Sequence, residues 1–182
     1  NRVLNELAEI PRLKNIHFMG GETLITKRFE DFVDYMIERQ RFDLNFSFVT
    51  NGTVFNESLV EKLKKFNRVG IEVSIETLTD HNAYQRQGTN TKQVLDNMQK
   101  YFDHCKGSNL NVTLRPAISA LTIGNYHTLL KYALDHKLVV KSIPVSTPEF
   151  LNPNVIPESV KQQYLDRYQN FKDQLNYRRN NI

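Results

Sequence analysis

The 182-residue chain is long enough for one ordinary domain and short for two, and its 40% hydrophobic residues are sufficient for a core. Its 24 Lys and Arg residues against 20 Asp and Glu residues leave a net charge of only +4, which is spread out and does not favour nucleic-acid binding. One cysteine excludes an internal disulfide and indicates a cytoplasmic setting, and no apolar run is long enough to span a membrane.

Strand-like and helix-like segments alternate along the chain with short connections. Apolar residues at helical spacing begin at Val3, and because the first residue is Asn1 we expect an excerpt of a longer chain that starts inside a helix. The predicted strands cover residues 16–19, 44–49, 69–75, 111–118 and 138–145. The predicted helices cover residues 24–39, 57–66, 91–104, 125–135 and the segment after Pro157. These repeated units predict an α/β fold with a parallel sheet.

Several predicted strands are polar on one face, which distinguishes a barrel from a sheet covered by helices on both sides. In residues 71–76 apolar and polar side chains alternate, and residues 44–49 repeat the pattern. A curved sheet with a polar ligand on its concave side explains this alternation. Internal ion pairs, for example Glu72 with Arg115 or Lys141, explain it equally well.

Gly20, Gly21 and Glu22 stand where the first predicted strand ends and the next helix begins. Two glycines allow a ligand to approach the backbone closely, and the carboxylate that follows suits an ammonium group. Glycines at such a junction are also ordinary turn formers, so the motif gains weight only from its neighbours.

Four further segments, with this one, resemble the motifs of radical S-adenosylmethionine (SAM) enzymes. Residues 16–22 are similar to that family's second strand and GGE motif, and residues 49–52, Val-Thr-Asn-Gly, to the end of its third strand. Residues 73–76 are similar to its fourth strand, and residues 84–89 to the Arg-Gly segment that follows. The Pro-rich passage 144–157 resembles the connection to the SPASM-like, or twitch, extensions of one subgroup.

The resemblance implies a partial (β/α)6 TIM-like barrel with parallel strands, here missing the first strand, over residues 1–145. Residues 146–182 would form a Pro-rich connection and a C-terminal helix. The implied cofactors are SAM and a 4Fe-4S cluster, with which the parent protein cleaves SAM to a 5'-deoxyadenosyl radical that abstracts hydrogen from its substrate. The substrate is unspecified, with a peptide as one candidate, and an electron-donor protein is the implied partner.

The resemblance also implies which residues bind SAM. Gly20, Gly21 and Glu22 would hold the methionyl ammonium group. Ser74 and Glu76 would lie near the ribose or the methionyl group. No catalytic residue is assigned.

Two arginines and the Thr-Asn-Gly segment complete the implied site. Arg86 or Arg115 would pair with the SAM carboxylate, because a guanidinium fork matches two carboxylate oxygens. Thr50 and Asn51 would shape the pocket wall. The alternatives from the residues themselves are a tight turn at Asn51 and a solvated Arg86 in a polar loop.

The chain departs from the family pattern at the cluster. The Cys-x-x-x-Cys-x-x-Cys motif is absent, and Cys105 is the only cysteine. This chain alone is therefore expected to be inactive, and no metal ligands are assigned. Thr23 stands where proline is frequent, and Glu76 stands where aspartate is frequent.

Two other functions are compatible with the sequence. A noncatalytic binding or assembly protein on the same scaffold would also lack the cysteines. A basic nucleic-acid-binding protein would show strongly salt-dependent affinity. The five histidines show no metal-binding spacing, and no phosphate-binding loop is present.

Overall fold

The structure, a computed structural model, describes residues 2–180, except the side chains of residues 2, 4 and 176–180. The chain divides into two compact units. The first unit comprises Asn1–Ser74 and Thr89–Thr113, and the second comprises Ile75–Gly88 and Leu114–Ile182. The predicted division near residue 145 stays a prediction.

The first unit contains a parallel sheet. Its strands are β1 (Asn15–Phe18), β2 (Asn45–Thr50), β3 (Arg68–Val73) and β4 (Leu110–Leu114), in that spatial order, with the last residue of β4 in the second unit. The parallel register aligns Phe18 with Phe48, and Phe48 with Ile71. All carboxyl ends of these neighbouring strands therefore meet at one edge, as expected for a parallel sheet.

The helices of the first unit begin where the sequence provides caps. They are α1 (Arg2–Glu9), α2 (Lys27–Glu38), α3 (Glu57–Leu63) and α5 (Thr91–Cys105). Asn56 Oδ1 accepts a hydrogen bond from Leu59 N at 3.0 Å and so caps the first turn of α3. Asn90 Oδ1 caps α5 in the same way, from Gln93 N at 3.1 Å.

The sheet of the first unit is apolar on the face that packs against helices. In β2, Phe46 and Phe48 are at most 2% exposed, while the alternating residues are half-buried. The Phe18 ring lies 4.9 Å from that of Phe29 in α2, centroid to centroid. Each such buried ring contributes about 1.5–3 kcal/mol of transfer free energy. The predicted alternation of an apolar and a more polar face is therefore confirmed in β2.

The second unit is built from short elements and one long helix. They are α4 (His81–Gln85), β5 (Ala117–Ile118), α6 (Tyr126–Asp135), β6 (Val139–Val140), β7 (Ile143–Pro144) and α7 (Glu158–Asn180). Short 3₁₀ helices occupy Ile123–Asn125, Glu149–Leu151 and Pro153–Val155. Strands β5 and β7 pair in parallel, with Ala117 opposite Ile143.

Three sequence predictions are corrected by this structure. The predicted strand 111–118 breaks at Arg115 and Pro116, because proline has no N–H for the ladder. The predicted strand 138–145 is two short strands, since Lys141 N bonds to Leu114 O at 2.8 Å and Ile143 N bonds to Pro116 O at 3.0 Å. The predicted helix 24–39 starts as a 3₁₀ turn, Thr23–Ile25, and extended Thr26 separates that turn from α2.

Across residues 2–180, no helix combines the length and the apolar composition required to cross a membrane.

Candidate functional site

The loop that follows β1 places two consecutive glycines in the left-handed region. Gly20 has a φ of 101° and Gly21 a φ of 60°, which side-chain-bearing residues rarely adopt. Apart from their chain neighbours, no atom of the residues that the structure describes lies within 4 Å of the positions that their Cβ atoms would take. Conformation, and not crowding, thus requires glycine here, and the backbone at this edge of the sheet is open to a ligand.

Glu22 ties this loop to the end of β2. Its Oε1 atom accepts hydrogen bonds from Thr50 Oγ1 at 2.7 Å and from Leu24 N at 3.1 Å. Its Oε2 atom accepts one from Asn51 N at 2.6 Å. An ionised carboxylate has about four acceptor positions, so these three bonds leave capacity on Oε2 for one further donor, such as an ammonium group.

Thr50 connects the Gly-Gly-Glu loop to the third strand. Its main-chain oxygen accepts a hydrogen bond from Ser74 N at 2.9 Å, just beyond the end of β3. Thr23 adds a tie that the sequence did not predict, since its Oγ1 donates to Val49 O at 3.0 Å. The structure therefore brings Glu22, Thr50 and Ser74 together at the carboxyl edge of three adjacent strands.

The Asn51 side chain takes part in a turn. Its Oδ1 atom accepts hydrogen bonds from Thr53 N at 2.9 Å and Thr53 Oγ1 at 2.6 Å, an Asx turn. Gly52 follows with a φ of 74°, and an added Cβ would lie 2.9 Å from Val94 Cγ1. The alternative prediction of a tight turn therefore describes the Asn51 side chain correctly. The Asn51 main-chain N–H, in contrast, donates to Glu22 Oε2.

Glu76 and Arg86 form a two-pronged ion pair in the second unit. Arg86 Nη2 donates to Glu76 Oε1 at 2.7 Å, and Arg86 Nε donates to Glu76 Oε2. The Glu76 side chain is 4% exposed and that of Arg86 27%. The alternative prediction, that Arg86 is a solvated arginine in a loop, is wrong. Arg86 directly follows α4, and its guanidinium binds the buried carboxylate of Glu76.

Both residues line a cavity within the second unit. The cavity has a volume of about 530 Å³, and Tyr84, Gln85 and Ser119 contribute to its wall with Glu76 and Arg86. Gln85 Nε2 donates to Ser119 Oγ at 2.6 Å, which fixes a polar section of that wall. The volume is within the roughly 300–1,000 Å³ range of small-molecule sites.

The sequence-predicted residues fall into these two groups. Gly20, Gly21, Glu22, Thr50, Asn51 and Ser74 belong to the first unit. Glu76, Arg86 and Arg115 belong to the second, where Arg115 is half-buried directly after β4. Asn82 and Ser119 escaped the sequence analysis, because isolated polar residues in a polar segment carry no periodic signal.

The described residues do not fit an iron–sulfur cluster. Among residues 2–180, no group of three or more His, Cys, Asp or Glu side chains is placed to hold a metal ion. Burial raises the pKa of the Cys105 thiol to about 11, with nearby Lys64 acting in the opposite direction. Since the thiolate is the form that ligates iron, Cys105 is a poor ligand at neutral pH.

We expect Cys105 to react slowly with a thiolate-directed alkylating reagent. At pH 8, raising a thiol pKa from its usual value to about 11 reduces the thiolate fraction roughly 100-fold. Iodoacetamide labelling of the native chain, followed by mass spectrometry, should be slower than labelling of the urea-unfolded chain by about that factor. Equal rates in the two states would contradict the burial argument.

The chain is similar in sequence to one known family and to a curated relative. A family model described as the radical SAM superfamily matches residues 1–120. A PqqA peptide cyclase of Granulibacter bethesdensis is 29% identical over 82 residues, which are 45% of this chain and 21% of the cyclase. The chain thus spans about a fifth of the length of this curated relative.

Solved structures share the fold at low sequence identity. Streptococcus suis SuiB bound to the precursor peptide SuiA has a TM-score of 0.61 at 14% identity, over 91% of this chain and 36% of SuiB. The enzyme anSMEcpe, with bound AdoMet and a Kp18Cys peptide, has a TM-score of 0.57 at 20% identity, over 78% of this chain and 40% of that chain. The predicted α/β fold class, a partial TIM-like barrel with parallel strands, is confirmed.

Proposed function

Because the chain belongs to the radical SAM superfamily, we propose that the whole protein is a radical SAM enzyme that acts on a peptide. The family uses SAM and a 4Fe-4S cluster. A peptide substrate is supported by the names of the relatives, a PqqA peptide cyclase and SuiB bound to the precursor peptide SuiA. We further propose that the whole protein reductively cleaves SAM and abstracts hydrogen from that peptide, with electrons from a donor protein.

The observation that carries the SAM proposal is the Gly-Gly-Glu loop. Glu22 is held by Thr50 Oγ1 and by the main-chain N–H groups of Leu24 and Asn51, with acceptor capacity left on Oε2. We assign this capacity to the methionyl ammonium of SAM. Gly20 and Gly21 would let the ligand lie directly against the backbone.

The cavity of the second unit offers, by itself, polar groups of the kinds that a ribose or a carboxylate binds. The cavity lined by Glu76 and Arg86 combines a carboxylate that can accept from ribose hydroxyls with a guanidinium that can donate to a carboxylate. Arg86 already engages Glu76 through two nitrogens. Its proposed role is therefore to orient Glu76 as well as to contact the ligand, and Arg115 remains the second candidate for the SAM carboxylate.

The cluster ligands of the proposed enzyme lie outside these residues, since one cysteine cannot replace three. The second candidate is a noncatalytic binding or assembly protein on this scaffold. The two proposals differ in one respect that the natural gene decides. Three cysteines with family spacing in the natural full-length sequence support the enzyme.

The activity test uses the full-length protein. After anaerobic reconstitution with iron and sulfide and reduction, we expect formation of 5'-deoxyadenosine from SAM, measured by liquid chromatography and mass spectrometry. A variant with the cluster cysteines replaced by alanine is the control. A reconstituted, reduced protein that binds SAM and forms no 5'-deoxyadenosine would contradict the enzyme proposal and support the binding protein.

A further inference from the structure

Asn82 is a completely buried polar residue in α4, next to the Glu76–Arg86 ion pair. It is 0% exposed. Its Oδ1 atom accepts a hydrogen bond from Glu76 N at 3.0 Å. Its main-chain oxygen accepts a hydrogen bond from Arg86 N at 2.8 Å. One residue therefore binds the main chain of both partners of the ion pair.

The amide nitrogen of Asn82, Nδ2, is buried without a hydrogen-bond partner among the described residues, and this is unfavourable for folding. Leaving a buried amide donor unpaired lowers the free energy of unfolding. A position that served packing alone would be filled more favourably by an apolar side chain, so the value of the amide lies in its Oδ1 acceptor.

The neutrality of this acceptor also matters. An aspartate at position 82 would accept the same hydrogen bond from Glu76 N without an unpaired donor. It would also place a second negative charge against the main chain of Glu76, where it would repel the Glu76 carboxylate and compete for Arg86. An amide binds the main-chain N–H of Glu76 without adding a second negative charge near the ion pair.

We propose that Asn82 is a positioning residue for the SAM site. Its side chain fixes the main chain at Glu76, so that the carboxylate keeps the orientation in which it pairs with Arg86 and lines the cavity. The inference rests on the proposed function, because it assigns Asn82 to the same site. Asn82 itself acts through Glu76 and does not contact the ligand.

A double-mutant cycle on SAM affinity tests this role. We expect Asn82→Ala to weaken SAM binding to the full chain roughly tenfold, measured by calorimetry. In a Glu76→Gln background the same substitution should have little further effect, because its route to the ligand is already removed. Additive effects in the two backgrounds would overturn the proposal, since a general loss of stability adds independently of Glu76.

A second readout needs no SAM. The Nε–H proton of Arg86, held by Glu76, should give a protected NMR signal in the wild-type chain, and Asn82→Ala should shift or broaden it. Leu129→Ala is the matched control, because Leu129 is 0% exposed in α6 and its truncation destabilises the same unit without touching the ion pair. The Arg86 signal should survive in that control, and an unchanged signal in Asn82→Ala would overturn the proposal.

The two readouts separate the inference from the function on which it rests. Absence of SAM binding to the wild-type chain would count against the proposed site, while the Arg86 signal would still decide the role of Asn82. If Asn82→Ala does not fold, Asn82→Asp replaces it in the cycle. Its effect should then disappear with Glu76→Gln, because the introduced carboxylate acts on the Glu76 charge, and persistence of the effect would overturn the proposal.

Discussion

Replacement of Arg86 by methionine should destabilise the chain by about 3–5 kcal/mol. The reason is that Glu76, whose side chain is 4% exposed, would lose the guanidinium that balances its charge. A carboxylate left buried without a partner retains its desolvation cost and loses its Coulombic compensation. Urea unfolding, monitored by circular dichroism, measures the loss as a decrease in the free energy of unfolding.

Two controls test whether the loss of stability comes from the unpaired Glu76 charge. The double variant Arg86→Met with Glu76→Gln removes both charges and should recover most of the loss. Lys92→Met breaks an exposed pair with Asp96, whose side chains are 82% and 57% exposed, and should change stability by less than about 0.5 kcal/mol. A double variant that is as unstable as the sum of its single variants would contradict the buried-pair account.

Glu22→Ala should have two separable effects. The first is a loss of about 2–4 kcal/mol in the free energy of unfolding, because three donors, Thr50 Oγ1, Asn51 N and Leu24 N, lose a charged acceptor. The second is weaker SAM binding, since the substitution removes the proposed contact with the methionyl ammonium. Urea unfolding measures the first effect and calorimetric titration with SAM measures the second.

The isosteric Glu22→Gln variant separates these effects. It keeps one oxygen acceptor and the shape of the side chain, so it should lose less stability than Glu22→Ala while losing the negative charge that favours an ammonium. Glu30→Gln is the matched control, because Glu30 pairs with Lys62 on α3, away from the Gly-Gly-Glu loop. Wild-type affinity for SAM in folded Glu22→Ala would reject the assigned ammonium contact.

The Gly-Gly-Glu loop could be located from the sequence because several signals agreed there. A strand-like run ends at Met19, two glycines follow directly, and an amphipathic segment begins soon after. The alternation in β2 likewise predicted which residues face the helices. These features depend on local periodicity and on glycine conformation, which a single sequence displays directly.

The environment of Arg86 could not be predicted in the same way. Helix α4 has only five residues, too few to display a helical period, and its sequence is polar. The partner of Arg86 is a carboxylate ten positions earlier, and that pairing depends on how the chain turns after β3. Asn82 was missed for the same reason, because its importance lies in main-chain contacts that have no sequence signature.

The break between β4 and β5 was a different kind of error. Pro116 stands inside the predicted strand 111–118 and is a recognised signal against strand continuity. In the structure, Pro116 O accepts from Ile143 N, so the chain exchanges one strand partner for another at this point.

We propose that the Gly-Gly-Glu edge of the first unit binds the amino-acid part of SAM. NMR titration of the isotope-labelled chain tests this most directly, with SAM and with 5'-deoxy-5'-methylthioadenosine, which lacks the amino-acid part. We expect SAM to cause saturable shifts in the amide signals of Gly20, Gly21 and Asn51, and methylthioadenosine to leave these three signals in place. Equal shifts with both ligands, or no shifts at these amides with SAM, would contradict this proposal.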